Sequence, residues 1–135
     1  MVFGSFLRAL AAGQRHHHRL TVFTFACAAE TTTAAHRQLR PIIASALASP
    51  FMDTKLAPMR LLSQVREYRE NGGQARIEAE MPDAWIDELA IAGTPEDWRQ
   101  TIDRLVEAGA ETVVVVPLPG KSVDEIDSFT RHLQL

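Results

Sequence analysis

Two short stretches of this chain consist almost entirely of apolar, β-branched and aromatic residues, and they constrain its fold more than any other feature. Leu20 to Ala28 reads LTVFTFACA, and Thr112 to Val116 reads TVVVV. A half-solvated strand alternates apolar with polar residues, so a run apolar on both alternating faces predicts a strand covered on both sides, as in a parallel sheet. Both runs are therefore read as buried parallel strands. Parallel strands need long, usually helical, crossovers, and the sequence around these two supplies helical signals.

Phe3, Phe6, Leu7 and Leu10 repeat at the spacing of one helical face, and Gly13 suits a helix stop. After the first strand, Thr31 to Thr33 offer N-cap oxygens, and Ala34 to Ala48 carries Leu39, Ile42, Ile43, Ala46 and Leu47 on one side. Pro41 falls inside this span, which predicts a kink or two abutting helices there. Met59 to Tyr68 gives a further helical pattern that Asn71-Gly72-Gly73 ends, and a short helix is expected after Pro82. Thr94 caps the next helix with Pro95 at its first position, and Glu96 and Asp97 favour the positive end of the helix dipole. Trp98, Ile102, Leu105 and Val106 form its apolar stripe, and Gly109 closes it. Ser122 with Glu125 reads as a capping box that opens a last helix through Val123, Ile126, Phe129 and Leu133. The order of helix, strand, several helices, strand and helix means α/β with two parallel strands and a mostly helical remainder.

The chain of 135 residues has the length of a single domain, taken here as 1–135. Its 46% hydrophobic and 23% charged residues are those of an ordinary folded protein. The formal charge of -3, spread over 14 basic and 17 acidic residues, offers no electrostatic footprint for nucleic acid. No apolar run approaches the roughly 18 residues that span a bilayer, and the N-terminus lacks the basic start of a secretory signal. The lone Cys27 reads as a small buried hydrophobe in a reducing compartment, which makes the cytoplasm the expected location.

The chemistry-bearing residues favour structural readings. His16-His17-His18 are adjacent, so their imidazoles point in different directions and do not readily meet one tetrahedral ion; a solvated basic loop flanked by Arg15 and Arg19 is the better reading. Pro119 to Ser122 reads PGKS between a strand and a helix, but a phosphate-binding loop needs glycine where Val115 stands. There remains a plain helix cap or, as a weaker reading, an anion contact made by Lys121 and the free amides there. Trp85 and Trp98 are expected in the core. Glu78, Glu80, Asp83, Asp87 and Glu88 are expected to form a solvated acidic face. No nucleophile, catalytic residue or metal ligand set is assigned.

The segment Ile91 to Gly120, IAGTPEDWRQTIDRLVEAGAETVVVVPLPG, resembles the C-terminal part of the luciferase-like monooxygenases, the bacterial-luciferase superfamily of flavin- or deazaflavin-dependent oxidoreductases. The resemblance rests on Gly93 to Glu96, Ala108 to Gly109 and Thr112 to Pro117, with upstream support from the first strand, its Ala-Glu end, and Arg37 to Ala46. It implies a (β/α)8 barrel, of which this chain supplies the last two strands, since such barrels take about 250 residues. It also implies a flavin mononucleotide or deazaflavin cofactor and a small-molecule substrate, bound at the barrel top, where Glu30 to Thr32 and Leu118 to Ser122 lie. It transfers no catalytic residue, because most substrate and flavin contacts in the family come from earlier strands.

Two strands without the rest of a barrel leave edges and apolar side chains uncovered, so the chain is expected to self-associate or to complete its barrel with a partner. Three functional readings result. The first is an oxidoreductase sector that is inactive alone. The second is a non-enzymatic α/β interaction module that associates through its sheet edge. The third is a small α/β enzyme with an anion site at Gly120 to Ser122.

Overall fold

The computed structural model describes residues 19–131. The proposed helix at residues 3–12 and His16 to His18 lie outside them. Strand β1 is Leu20–Ala28 and is followed by helix α1, Thr32–Ala48. A 3-10 turn, Pro50–Met52, leads into the short α2, Asp53–Leu56; α3 is Leu62–Glu70, α4 is Gly73–Glu80 and α5 is Asp83–Leu89. The short strand β2, Ala90–Gly93, precedes α6, Pro95–Glu107; β3 is Ala110–Pro117 and α7 is Val123–Arg131.

The fold is α/β with a parallel sheet, and β1 and β3 lie side by side although β2 falls between them in sequence. Val22 pairs with Val113 and Phe25 with Val116. The expectation of two strands needs a correction, because β2 adds a third in the order β2-β1-β3. It pairs with β1 only from Phe25 to Ala28. Four residues are too few to show a period, and their apolar run continues directly from that of α5.

A second correction concerns cover. Val22, Thr24 and Ala26 on one face of β1 are buried, but Phe23 on the other is 63% exposed, and Val113 to Val116 are only half-buried. The sheet is therefore not covered on both sides by the described residues. At its C-terminal half α1 approaches the open face, where Phe25 and Val116 share a groove with Ile42 and Ala46.

Helices α1, α5, α6 and α7 form close to where the sequence predicts. Thr31 Oγ1 accepts the Ala34 amide hydrogen at 3.1 Å and starts α1. Of the two outcomes expected at Pro41, two abutting helices do not occur, and α1 is one helix with Pro41 inside it. Pro41 and Arg37, whose carbonyl proline leaves without an amide partner, are both exposed residues of the helix. The helix expected from Met59 starts later, at Leu62. Gly73, read as part of a terminator, opens α4, the turn being made by Gly72 and Gly73 at φ +135° and +67°.

The core is built from Leu39, Ile43 and Leu47 of α1 with Val65, Ile77, Ile86, Ile91, Trp98 and Leu105, all essentially buried. Trp85 and Trp98 are core residues, as expected. Tyr68 and Trp85 stack with ring centroids 5.5 Å apart, and the Arg76 guanidinium sits 4.5 Å above the Tyr68 ring. Among the described residues no helix is long and apolar enough to cross a membrane.

Candidate functional site

All three strands run in the same direction, so their C-terminal ends gather the loops after Ala28, Gly93 and Pro117 at one end of the sheet. The Ala29 amide donates to the Gly93 carbonyl at 3.0 Å and fixes the first two loops against each other.

Thr94 and Asp97 then organise this end. Asp97 Oδ2 accepts from the Thr94 amide at 2.9 Å and from Thr94 Oγ1 at 3.0 Å, while Thr94 Oγ1 accepts from the Asp97 amide at 3.3 Å. This is a reciprocal capping box in which Asp97 takes the part usually played by glutamate. The same Asp97 oxygen accepts from Thr32 Oγ1 of α1 at 3.0 Å. The Thr94 amide bond is the main reason the Asp97 carboxyl sits below the usual carboxylate range. Gly93 is required for this arrangement. Its φ is +117°, and a Cβ there would collide with the Asp97 carboxylate. The Gly93 to Glu96 motif is thus the start of a capped helix whose N-terminus already holds its own anion.

The loops singled out from sequence divide. Leu118 and Lys121 line a cavity of about 220 Å³ with Ala26, Cys27, Ala28 and Ile126, between the ends of β1 and β3. The Lys121 amide closes a turn on the Leu118 carbonyl at 3.0 Å, with Gly120 at φ +83°. Helix α7 begins directly after Ser122, as a cap predicts; the Glu125 half of the expected box lies outside the described side chains. From the other loop, Glu30 is exposed, Thr31 caps α1, and Thr32 binds Asp97.

Cys27 is a free, buried thiol, as its setting in the strand predicts. Burial pushes its pKa up, and the charge of Lys121 opposes this. Its carbonyl accepts from the buried Trp98 indole N–H at 3.2 Å, which pins α6 to β1. A buried thiol whose pKa is raised is disfavoured as a nucleophile.

The acidic face expected from sequence is exposed at Glu80, Asp83 and Asp87 and half-buried at Glu78 and Glu88, and several of its members make ion pairs. Asp87 Oδ1 lies 2.6 Å from His36 Nε2, and Asp83 Oδ2 lies 3.7 Å from His36 Nδ1. Arg40 pairs with Asp83 and donates to the carbonyls of Glu78 at 3.0 Å and Met81 at 2.9 Å. The buried His36 is a site residue that the sequence does not flag, because nothing local to it predicts a partner 51 residues away. Glu80 pairs with Arg76. Glu88 and Asp87 line a second cleft, of about 330 Å³, with Thr32, Asp97 and Arg104. Burial raises the Glu88 pKa. Among the described residues no group of three or more His, Cys, Asp or Glu converges as metal ligands would.

The structure is mixed α/β with a three-stranded parallel sheet, consistent with a sector of an α/β barrel, and its cavity lies at the C-terminal ends of the strands. The family model of the luciferase-like monooxygenases matches residues 3–112. The chain belongs to the luciferase-like monooxygenase family. The match takes in the first strand, the α1 segment and the Gly93 to Glu96 cap, and ends inside β3. No curated protein matches the chain.

Proposed function

We propose that this chain is the C-terminal sector of a luciferase-like, flavin- or deazaflavin-dependent oxidoreductase, and that it binds cofactor only when another copy or a partner chain extends its sheet. The observation that carries the reading is the strand-end cavity in a chain of this family, lined by Cys27, Leu118 and Lys121. Its volume of about 220 Å³ is below the range of roughly 300–1,000 Å³ typical of ligand sites. It has room for one end of a cofactor, such as a phosphate beside Lys121, and not for the fused flavin ring. The residues present therefore fit a phosphate-bearing end only. When bound, the cofactor supplies the redox chemistry; the part of this chain is to position it. Lys121 balances phosphate charge, and the Thr94–Asp97–Thr32 lock holds the neighbouring loops.

The open sheet face at Phe23 and the uncovered valines of β3 support self-association as the means of completing the site. The same exposure favours the second reading, a non-enzymatic interaction module. A small-molecule substrate accords with the family reading, and the buried Cys27 accords with a reducing, cytoplasmic setting. Titration of flavin mononucleotide against the chain, followed by fluorescence quenching over a range of protein concentrations, separates the readings. Quenching that grows with self-association supports the oxidoreductase sector. A stable homo-oligomer that never quenches flavin supports the module.

A further inference from the structure

The two edges of the sheet differ. On one side β2 ends it with four residues, all of them buried. On the other side no strand among the described residues pairs with the outer edge of β3, whose Thr112 is exposed and whose Val113 to Val116 are half-buried. Folded proteins blunt a free edge with charges, proline or bulges. In β3 these devices stand only at the two ends. Glu111 is the extra residue where the register with β1 slips between Leu20 and Thr21, and Pro117 closes the strand without an amide donor. Between them Thr112 to Val116 is an uncharged β-branched run with nothing to deter a further strand.

The two ends also set a register for a second copy. A two-fold axis at Val114 lets the whole run pair with its own copy, Thr112 with Val116, Val113 with Val115 and Val114 with Val114. Glu111 then faces Pro117 of the second copy, outside the ladder. Any other axis draws Glu111 or Pro117 into it. Charge favours the antiparallel direction, which holds the two Glu111 residues about 20 Å apart, whereas a parallel pair in register sets them about 5 Å apart. Apolar contact favours it as well. Phe23 is the β1 partner of Val114, so directly opposite residues form an unbroken row of Phe23, Val114, Val114 and Phe23 across the open face. Such cross-strand contacts are the unit of sheet stabilisation.

We propose that two copies of this chain join by antiparallel pairing of their β3 strands about a two-fold axis at Val114, so that two three-stranded halves become one continuous sheet. The contact is the same patch on both copies and therefore closes at a dimer. It rests on the proposed reading that another copy extends the sheet, and it names the strand, direction and register of that copy.

Spin labels at residue 111, attached to Glu111→Cys in a Cys27→Ala chain and read by pulsed electron resonance, test the geometry. Labelled backbones roughly 20 Å apart are expected in the dimer. Val114→Lys sets two ammonium groups against each other on the axis and should weaken association at least about tenfold in sedimentation velocity, whereas Val114→Ile should retain it. Should Val114→Lys fail to fold, hydrogen exchange of the unaltered chain decides: protection of amides in Thr112 to Val116 should rise with protein concentration. A chain that stays monomeric at every concentration overturns the proposal. So does a label separation near 5 Å in the associated chain, association that survives Val114→Lys, or protection that ignores concentration. A dimer of this geometry that never binds flavin upholds the pairing and removes the oxidoreductase-sector reading, and flavin bound by an assembly lacking the expected label separation does the reverse.

Discussion

Thr32 Oγ1 donates to Asp97 Oδ2 at 3.0 Å and joins the first turns of α1 and α6 across 65 residues of sequence. Since the same oxygen also accepts from the Thr94 amide and hydroxyl, one carboxylate holds two helix starts at the end of the sheet that carries the candidate site. Asp97→Ala removes the capping box and should lower stability by about 1–2 kcal/mol. Thr32→Val removes only an exposed contact, and its cost should stay within about 0.5 kcal/mol. Urea unfolding of the two variants checks the order.

The same carboxyl sets a pH dependence. Its pKa is held down in the folded chain, chiefly by the Thr94 amide. A group whose folded pKa is depressed contributes stability above its unfolded value, about 3.9 for aspartate, and loses it as pH falls through the folded value. Asp53, lowered chiefly by its hydrogen bond from Arg69, acts in the same direction. Stability should therefore fall on acidification below about pH 4, and less steeply in Asp97→Asn. Unfolding midpoints measured from pH 6 down to about pH 2.5 test this sign.

Gly93 and Gly73 both have positive φ, but they should differ in their tolerance of alanine. At Gly93 the angle is +117° and the new methyl meets Asp97; at Gly73 it is +67° with nothing within 4 Å. Gly93→Ala is expected to cost about 3 kcal/mol, from backbone strain and the broken cap. Gly73→Ala should cost roughly 1 kcal/mol. Thermal melts of the two variants compare them directly.

Arg69 closes the corner between α1 and α2 through two backbone carbonyls, those of Leu47 and Ser49. Arg69→Met keeps much of the stem and leaves both carbonyls without their charged donor. A loss of roughly 2–3 kcal/mol is expected, with faster amide exchange around Ser49 to Leu56. Arg69→Lys should rescue little, because an ammonium does not reproduce the planar fork that reaches both carbonyls and Asp53.

The legible parts of this fold are those with a local cause. The β-branched run of β3, the Thr94-Pro95 start of α6 and the Thr31 cap of α1 all depend on neighbouring residues. Strand β2 escapes a sequence reading because Ala90 to Gly93 become a strand only by pairing with Phe25 to Ala28, a contact spanning 65 residues. Helix α4 escapes because Gly72-Gly73 suits an end or a beginning equally well, and only the packing of Ile77 in the core decides between them. The strand ends are legible as a candidate site because parallel strands present their C-terminal loops together. The contacts His36 to Asp87 and Thr32 to Asp97 are not legible, since each joins residues that only the tertiary fold brings together. Cover on both faces is an inference from composition, whereas Phe23 shows that the described residues do not supply it.

The central claim is that cofactor binding depends on completing the sheet. Sedimentation velocity of the chain with flavin mononucleotide, monitored at both the protein and flavin absorbance bands, tests it most directly. The account predicts that flavin co-sediments with species larger than the monomer, and that Phe23→Ser lowers both the larger species and the bound flavin together. Flavin co-sedimenting stoichiometrically with a monomer, or with no species at any concentration, would contradict it.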